Sequence, residues 1–184
     1  MARLIYVPVV HSTVEMGSEA SAYKAAFIAR YGELKWAERS AEFDEIWRAI
    51  RKQLDALCIN FRRVKLYQDS LPVCGQEAAL VHDLAARGSR NHQMLEALAQ
   101  KGAALVGTES PGLLLDEYRL LQSQDRTEAK EAELLRERDR FIATRIDETL
   151  GVDETGILFI GALHKVADYL PARIIVDYVS ICGR

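Results

Sequence analysis

Two histidines, a few carboxylates and two arginines are the residues of this chain whose types and positions can do chemistry. His11 closes an apolar run and is followed four residues later by Glu15. Gln68 and Asp69 close a second run, Glu109 follows a third, and His164 follows a fourth through Gly161-Ala162-Leu163. If these runs are parallel strands, the side chains after them collect at one edge of a sheet, the edge where open α/β folds bind ligands. An imidazole there can act as a general base. Two imidazoles and a carboxylate can instead form an open three-ligand metal site whose bound water is acidified towards neutrality. Gly161, at a strand end, lets backbone or ligand approach closely. His82 and His92 lie inside helical patterns and read as structural or surface residues, and Ser12 beside His11 is not a nucleophile with its base.

The long helical pattern over residues 127–150 adds a second clue. At about 100° per residue, Leu134, Leu135, Phe141, Ile142, Ile146 and Leu150 share half of the wheel, with Arg138 and Arg145 inside their stripe. Arg136, Glu137, Arg140 and Asp147 point away. A guanidinium on a core-facing stripe must snorkel or be paired, because an unpaired buried charge is costly. One solution is a carboxylate such as Glu109; the other is an anionic ligand, which a planar, permanently charged fork suits. Asp139, at the edge of the stripe, is placed to orient either Arg138 or a histidine.

The elements that must position these residues alternate. Apolar, β-branched runs at 4–10, 64–67, 103–107, 157–161 and 173–179 read as strands, separated by helical patterns too long for hairpins. The helices read as 19–30 and 34–58, broken at Tyr31-Gly32, then 76–101 with an interruption at Gly88-Ser89, then 113–121 and 127–150. The expectation is one α/β domain over residues 1–184: a mostly parallel central sheet of about five strands, flanked by helices on both faces, with a long helical insertion after the first strand.

Composition narrows the function. A chain of 184 residues, 49% hydrophobic and 28% charged, with 4 prolines and 11 glycines, can bury a core without staples. A net charge of -3 argues against non-specific nucleic-acid binding, which needs a basic stripe. Cys58, Cys74 and Cys182 are odd in number and form no C-x-x-C pair, as in a reducing cytoplasm. The first apolar run is too short for a signal peptide and no run is long enough to span a membrane, so a cytoplasmic location is expected. Phosphate-loop, dinucleotide-binding, H-E-x-x-H and nucleophile-elbow motifs are absent from the sequence.

The strand ending near His11, the strand ending in Glu109, the Arg138-Asp139 helix and the run Gly156-Ile-Leu-Phe-Ile-Gly-Ala-Leu-His164 together resemble the TraB/TIKI and erythromycin-esterase/ChaN-like superfamily, most closely over residues 131–164. The resemblance implies an α/β core and a metal-assisted hydrolytic centre. By position, His164 would be the G-x-x-H histidine, His11 the N-terminal one, Glu109 the acid and Arg138 the arginine.

These readings converge on a small hydrolase acting on an anionic substrate, phosphoester- or carboxylate-bearing, at the carboxyl edge of the sheet. His11, Glu109, His164 and Arg138 would be catalytic, and Arg145, Gln68, Asp69 and Gly161 would bind substrate. A divalent ion, zinc or manganese, if used, would be held by His11, Glu109 and His164; otherwise no cofactor is expected. The competing reading is a non-catalytic module that binds an anionic nucleotide or metabolite and regulates oligomerisation or a partner. The apolar run 174–181 would then offer an edge strand for a homodimer.

Overall fold

The structure, a computed structural model, describes residues 1–9 and 19–179. Along the chain come β1 (Ala2–Val9), α1 (Glu19–Tyr31), α2 (Glu33–Asp55), β2 (Val64–Gln68), α3 (Glu77–Ala86), α4 (Arg90–Gln100), β3 (Ala104–Leu105), α5 (Pro111–Gln122), α6 (Glu128–Thr149), β4 (Thr155–Gly161) and β5 (Ile174–Tyr178). The five strands form one sheet in the order β3-β2-β4-β1-β5. Every pair in it is parallel. This is the α/β architecture expected from the alternating pattern.

Because successive strand residues face opposite sides, each central strand feeds two cores. Ile5, Val7 and Val9 of β1, Val64 and Leu66 of β2, and Ile157 and Phe159 of β4 pack with Trp47, Ile50 and Leu54 of α2, Val81 of α3 and Met94, Leu95 and Leu98 of α4. Leu4, Tyr6, Tyr67, Leu158 and Ile160 face the other way, onto Ile142, Ala143 and Ile146 of α6 and Val166 in the short 3-10 turn Val166–Tyr169. The strands are therefore apolar on both faces, which is why they read as continuous runs.

The sequence-level breaks have local causes. Gly32, between α1 and α2, takes a left-handed φ of 85°, and Gly88, between α3 and α4, one of 96°. Ser89, Ser110 and Thr127 cap α4, α5 and α6, each side chain accepting a backbone N–H from the first turn. The third strand is shorter than its apolar run suggests. After Leu105 the chain turns across the loop that follows β2: the Thr108 and Glu109 amides both donate to the Leu71 carbonyl at 2.9 Å. Gly107 makes this crossing possible, since a Cβ there would lie 2.7 Å from Val73 Cα.

Two predictions concern this frame. At Gly156, where β4 starts, a Cβ would fall 2.6 Å from Leu4 Cδ1 and 3.2 Å from Tyr67 Cε2. Gly156→Ala should cost about 1–3 kcal/mol by overpacking, read as a lower urea midpoint at constant slope. An unchanged midpoint would show that Leu4 yields freely. The second concerns alkaline pH. Burial pushes the Tyr67 hydroxyl up to about 12, even though its hydrogen bond with Thr149 Oγ1 acts in the opposite direction. Burial also raises Tyr6. Below tyrosine's ordinary value of about 10 both the folded and unfolded states keep the proton, and the stabilisation is complete. Above it the unfolded chain ionises first, so stability should fall as pH rises towards 12. Denaturation midpoints across that window, compared with Tyr67→Phe, test the sign: the variant should lose less.

Candidate functional site

The strand order places a crevice before any side chain is considered. From β1 the chain crosses to β2 with α2 packed on one face of the sheet; from β4 it returns past β1 to β5 with the 3-10 turn on the other face. Neighbouring strands whose connections leave in opposite directions open a gap at their carboxyl ends. A cleft of about 460 Å³ lies there, lined by Tyr6 and Pro8 from β1, Gly161, Ala162, His164, Lys165, Ala167 and Asp168 after β4, and Tyr178 from β5.

His164 is the chemical centre of this cleft. The chain turns tightly after β4, with the His164 amide donating to the Gly161 carbonyl, and the imidazole swings under α6. Its side chain is only 6% exposed. Nδ1 lies 2.6 Å from Asp139 Oδ1, and the second Asp139 oxygen accepts the Lys165 amide at 2.9 Å, so the carboxylate is held at both ends. Of the two partners open to Asp139, it takes the histidine. The opposite ring nitrogen, Nε2, faces Asp69 Oδ2 at 3.9 Å, too far for a direct hydrogen bond. That same Asp69 oxygen accepts the Gly161 amide at 2.7 Å.

Asp69 is anchored from behind. Gln68 Nε2 donates to the Asp69 carbonyl and to Oδ1, while Gln68 Oε1 accepts from Asn91 Nδ2 at 2.7 Å. Asn91 belongs to the first turn of α4 and is fully buried. Ser70, next along, takes a left-handed φ of 60° and directs its amide to Glu109 Oε1. A non-glycine residue in that region is strained, and such positions concentrate at sites held in place by their surroundings.

Arg138 satisfies its burial with carboxylates. Nε lies 3.2 and 3.3 Å from the two Glu109 oxygens, Nη2 donates to Oε1 at 2.6 Å, and Nη1 donates to Glu117 Oε1 at 2.5 Å. Burial alone would lower the Arg138 pKa. The hydrogen bonds and charge of Glu109, followed by the charges of Glu117 and Asp69, more than reverse this and raise it above arginine's ordinary value. Arg145 lies further along α6, with Nε reaching the Gly107 carbonyl and Nη1 the exposed Glu148.

The sequence-predicted residues therefore divide. Gly161 and His164 line the cleft, with Asp69 against the imidazole and Gln68 behind it. Glu109 and Arg138 form the adjoining buried ion pair. Arg145 stands apart from the cleft lining. His11 and Glu15 lie outside the described residues. His82 is exposed and meets Glu96, while His92 is buried with Nδ1 2.7 Å from Ser89 Oγ. Tyr6, Lys165, Tyr178, Glu117 and Asn91 are not among the residues expected from the sequence. Tyr6 and Lys165 carried a signal, one from strand alternation and one as the neighbour of His164; Glu117 and Asn91 carried none.

As a metal centre the arrangement is incomplete among the described residues, where no group of three or more His, Cys, Asp and Glu is disposed to hold an ion. Glu109 directs both oxygens at Arg138. His164, oriented through Nδ1 by a carboxylate, has the form of a metal-ligating imidazole, but equally that of a general base. Among the described residues no helix is long and apolar enough to cross a membrane. No family model, curated protein or solved structure matches the chain.

Proposed function

We propose that the chain is a hydrolase of small anionic substrates, phosphoester- or carboxylate-bearing, with His164 as general base. The observation that carries this reading is the Asp139-His164 pair: an almost fully buried carboxylate fixes the imidazole through Nδ1 and leaves Nε2 facing a second carboxylate beside an open cleft. A carboxylate at Nδ1 selects the tautomer in which Nε2 can accept a proton. The gap between Nε2 and Asp69 Oδ2 suits a water that donates to both. In this mechanism that water attacks the phosphorus or acyl carbon of the substrate ester as Nε2 takes its proton and Asp139 stabilises the imidazolium. The P–O or C–O bond to the leaving group then breaks, and the leaving oxygen takes up the proton from Nε2.

The anionic group would meet Lys165, whose ammonium has no ion pair among the described residues. Arg138, paired with Glu109 and Glu117, would hold the frame instead of gripping substrate. A divalent ion, if one takes part, would need His164 Nε2, Asp69 and a ligand outside the described residues such as His11, and no step above passes through it. Hydrolysis of p-nitrophenyl phosphate and bis(p-nitrophenyl) phosphate, with and without added zinc or manganese, tests the proposal. Nitrophenolate release should fall at least ~10²-fold in His164→Asn. Equal turnover in the variant would refute the role of His164, and saturable binding without product would favour the non-catalytic module.

A further inference from the structure

On the opposite face of the sheet from His164, α2 and α4 enclose a second pocket of about 360 Å³, lined by Asp44, Trp47, Arg48, Arg51, Arg90, Gln93 and Met94. Its floor is apolar: Trp47 and Met94 belong to the core on that side, and Trp47 stacks against Phe159 of β4 at 6.4 Å. Its walls carry three guanidiniums against one carboxylate, on a chain whose net charge is -3. Positions 44, 47, 48 and 51 recur at three- and four-residue steps, so α2 presents them along one face. Arg90 comes from the first turn of α4 opposite.

The bonding of the three arginines indicates what the pocket lacks. Arg90 uses Nε on Asp44 Oδ1 at 3.0 Å and Nη1 on Gln93 Oε1 at 3.3 Å, which orients its fork. Arg48 bonds only a backbone carbonyl, that of Asp44, and lies 3.9 Å from the exposed Glu45. Arg51 has no hydrogen bond or ion pair among the described residues. Exposed pairs of this kind contribute little, so the forks can turn to an incoming anion at small cost. Several guanidiniums around one concave site match a doubly charged phosphoryl group better than a lone carboxylate, because each fork can give two parallel hydrogen bonds. A volume at the small end of ligand pockets, with an apolar floor, fits a small molecule.

We propose that this pocket is a binding site for a small phosphorylated ligand, a phosphate ester or diphosphate, separate from the His164 cleft and independent of any activity there. The phosphoryl oxygens meet Arg48, Arg51 and Arg90, and the organic part lies over Trp47 and Met94.

Trp36 and Trp47 are the two tryptophans of the chain, so Trp36→Phe makes Trp47 the sole indole reporter. Calorimetric titration of this protein with inorganic pyrophosphate, followed in parallel by fluorescence, should show one saturable site that weakens with added salt. The Arg48→Gln/Arg51→Gln variant should bind at least about tenfold more weakly, while His164→Asn should bind equally well. Arg48 and Arg51 are exposed, and circular dichroism checks that these variants and the more buried His164→Asn remain folded. Absence of saturable binding in the millimolar range, unchanged affinity in the double arginine variant, or loss of binding in His164→Asn would each overturn the assignment. So would a short oligothymidylate binding more tightly than pyrophosphate, which would make the surface a nucleic-acid backbone contact.

Discussion

Glu109→Gln is expected to lower the unfolding free energy by about 3 to 5 kcal/mol. The Glu109 side chain is fully buried and the Arg138 side chain is 5% exposed. The glutamine amide keeps one acceptor oxygen but loses the charge that compensates the guanidinium, and its NH2 group faces the Arg138 donors. Glu117 remains on Nη1 but is 38% exposed, so water screens it and it cannot replace Glu109. The penalty belongs to the orphaned arginine more than to the lost bonds. Glu109→Leu combined with Arg138→Met should therefore recover much of the loss, because replacing both partners of a buried pair by apolar groups is often close to neutral. Urea denaturation of the three variants at constant slope measures this. A loss below 1 kcal/mol in Glu109→Gln would mean that Glu117 and the protein field suffice for Arg138.

Asp139→Asn should affect chemistry more than folding. The asparagine is isosteric and can still accept the Lys165 amide through its oxygen. Its NH2 group, turned to His164, would then donate to Nδ1 and force the proton onto Nε2. A base with its proton on the working nitrogen cannot accept another, so turnover of the nitrophenyl phosphates should fall by about 10² to 10⁴-fold. Substrate affinity should hardly change, since Lys165 and Tyr178 remain in the cleft. A loss confined to KM, with kcat preserved, would argue that Asp139 shapes the pocket and does not set the tautomer.

These two pairs show how far the sequence can be read. Hydrophobic runs identify strands buried on both faces, and wheel geometry puts Arg138 on the core-facing stripe because periodicity alone fixes the direction in which a helical side chain leaves. Strand-end placement likewise finds Asp69, Glu109 and His164. What periodicity does not carry is which of several charges on one edge become partners. That depends on the strand order, in which β4 lies between β2 and β1 and brings Gly161 beside Asp69. Asn91 and Glu117 were illegible for the same reason, as each reaches its partner, Gln68 or Arg138, only through the tertiary fold. The early end of β3 had a cue in Gly107, but its cause is a crossing with the loop at Pro72 and Val73, far away in sequence.

The central position of β4 also sets the order of assembly. β1 and β2 are not neighbours: each pairs with β4, across separations of some 150 and 90 residues, as in Ile5 with Ile157 and Leu66 with Ile157. Until Thr155–Gly161 has left the ribosome, the two early strands have no ladder between them, and the helices that follow them have only half of a sheet to cover. Long loops must close before this strand rewards them, which slows folding of such topologies. Until β4 emerges, β1 has no partner strand and β2 only the two residues of β3; β4 then joins the two halves, and β5, pairing with β1, adds the last edge and the Tyr178 wall of the cleft.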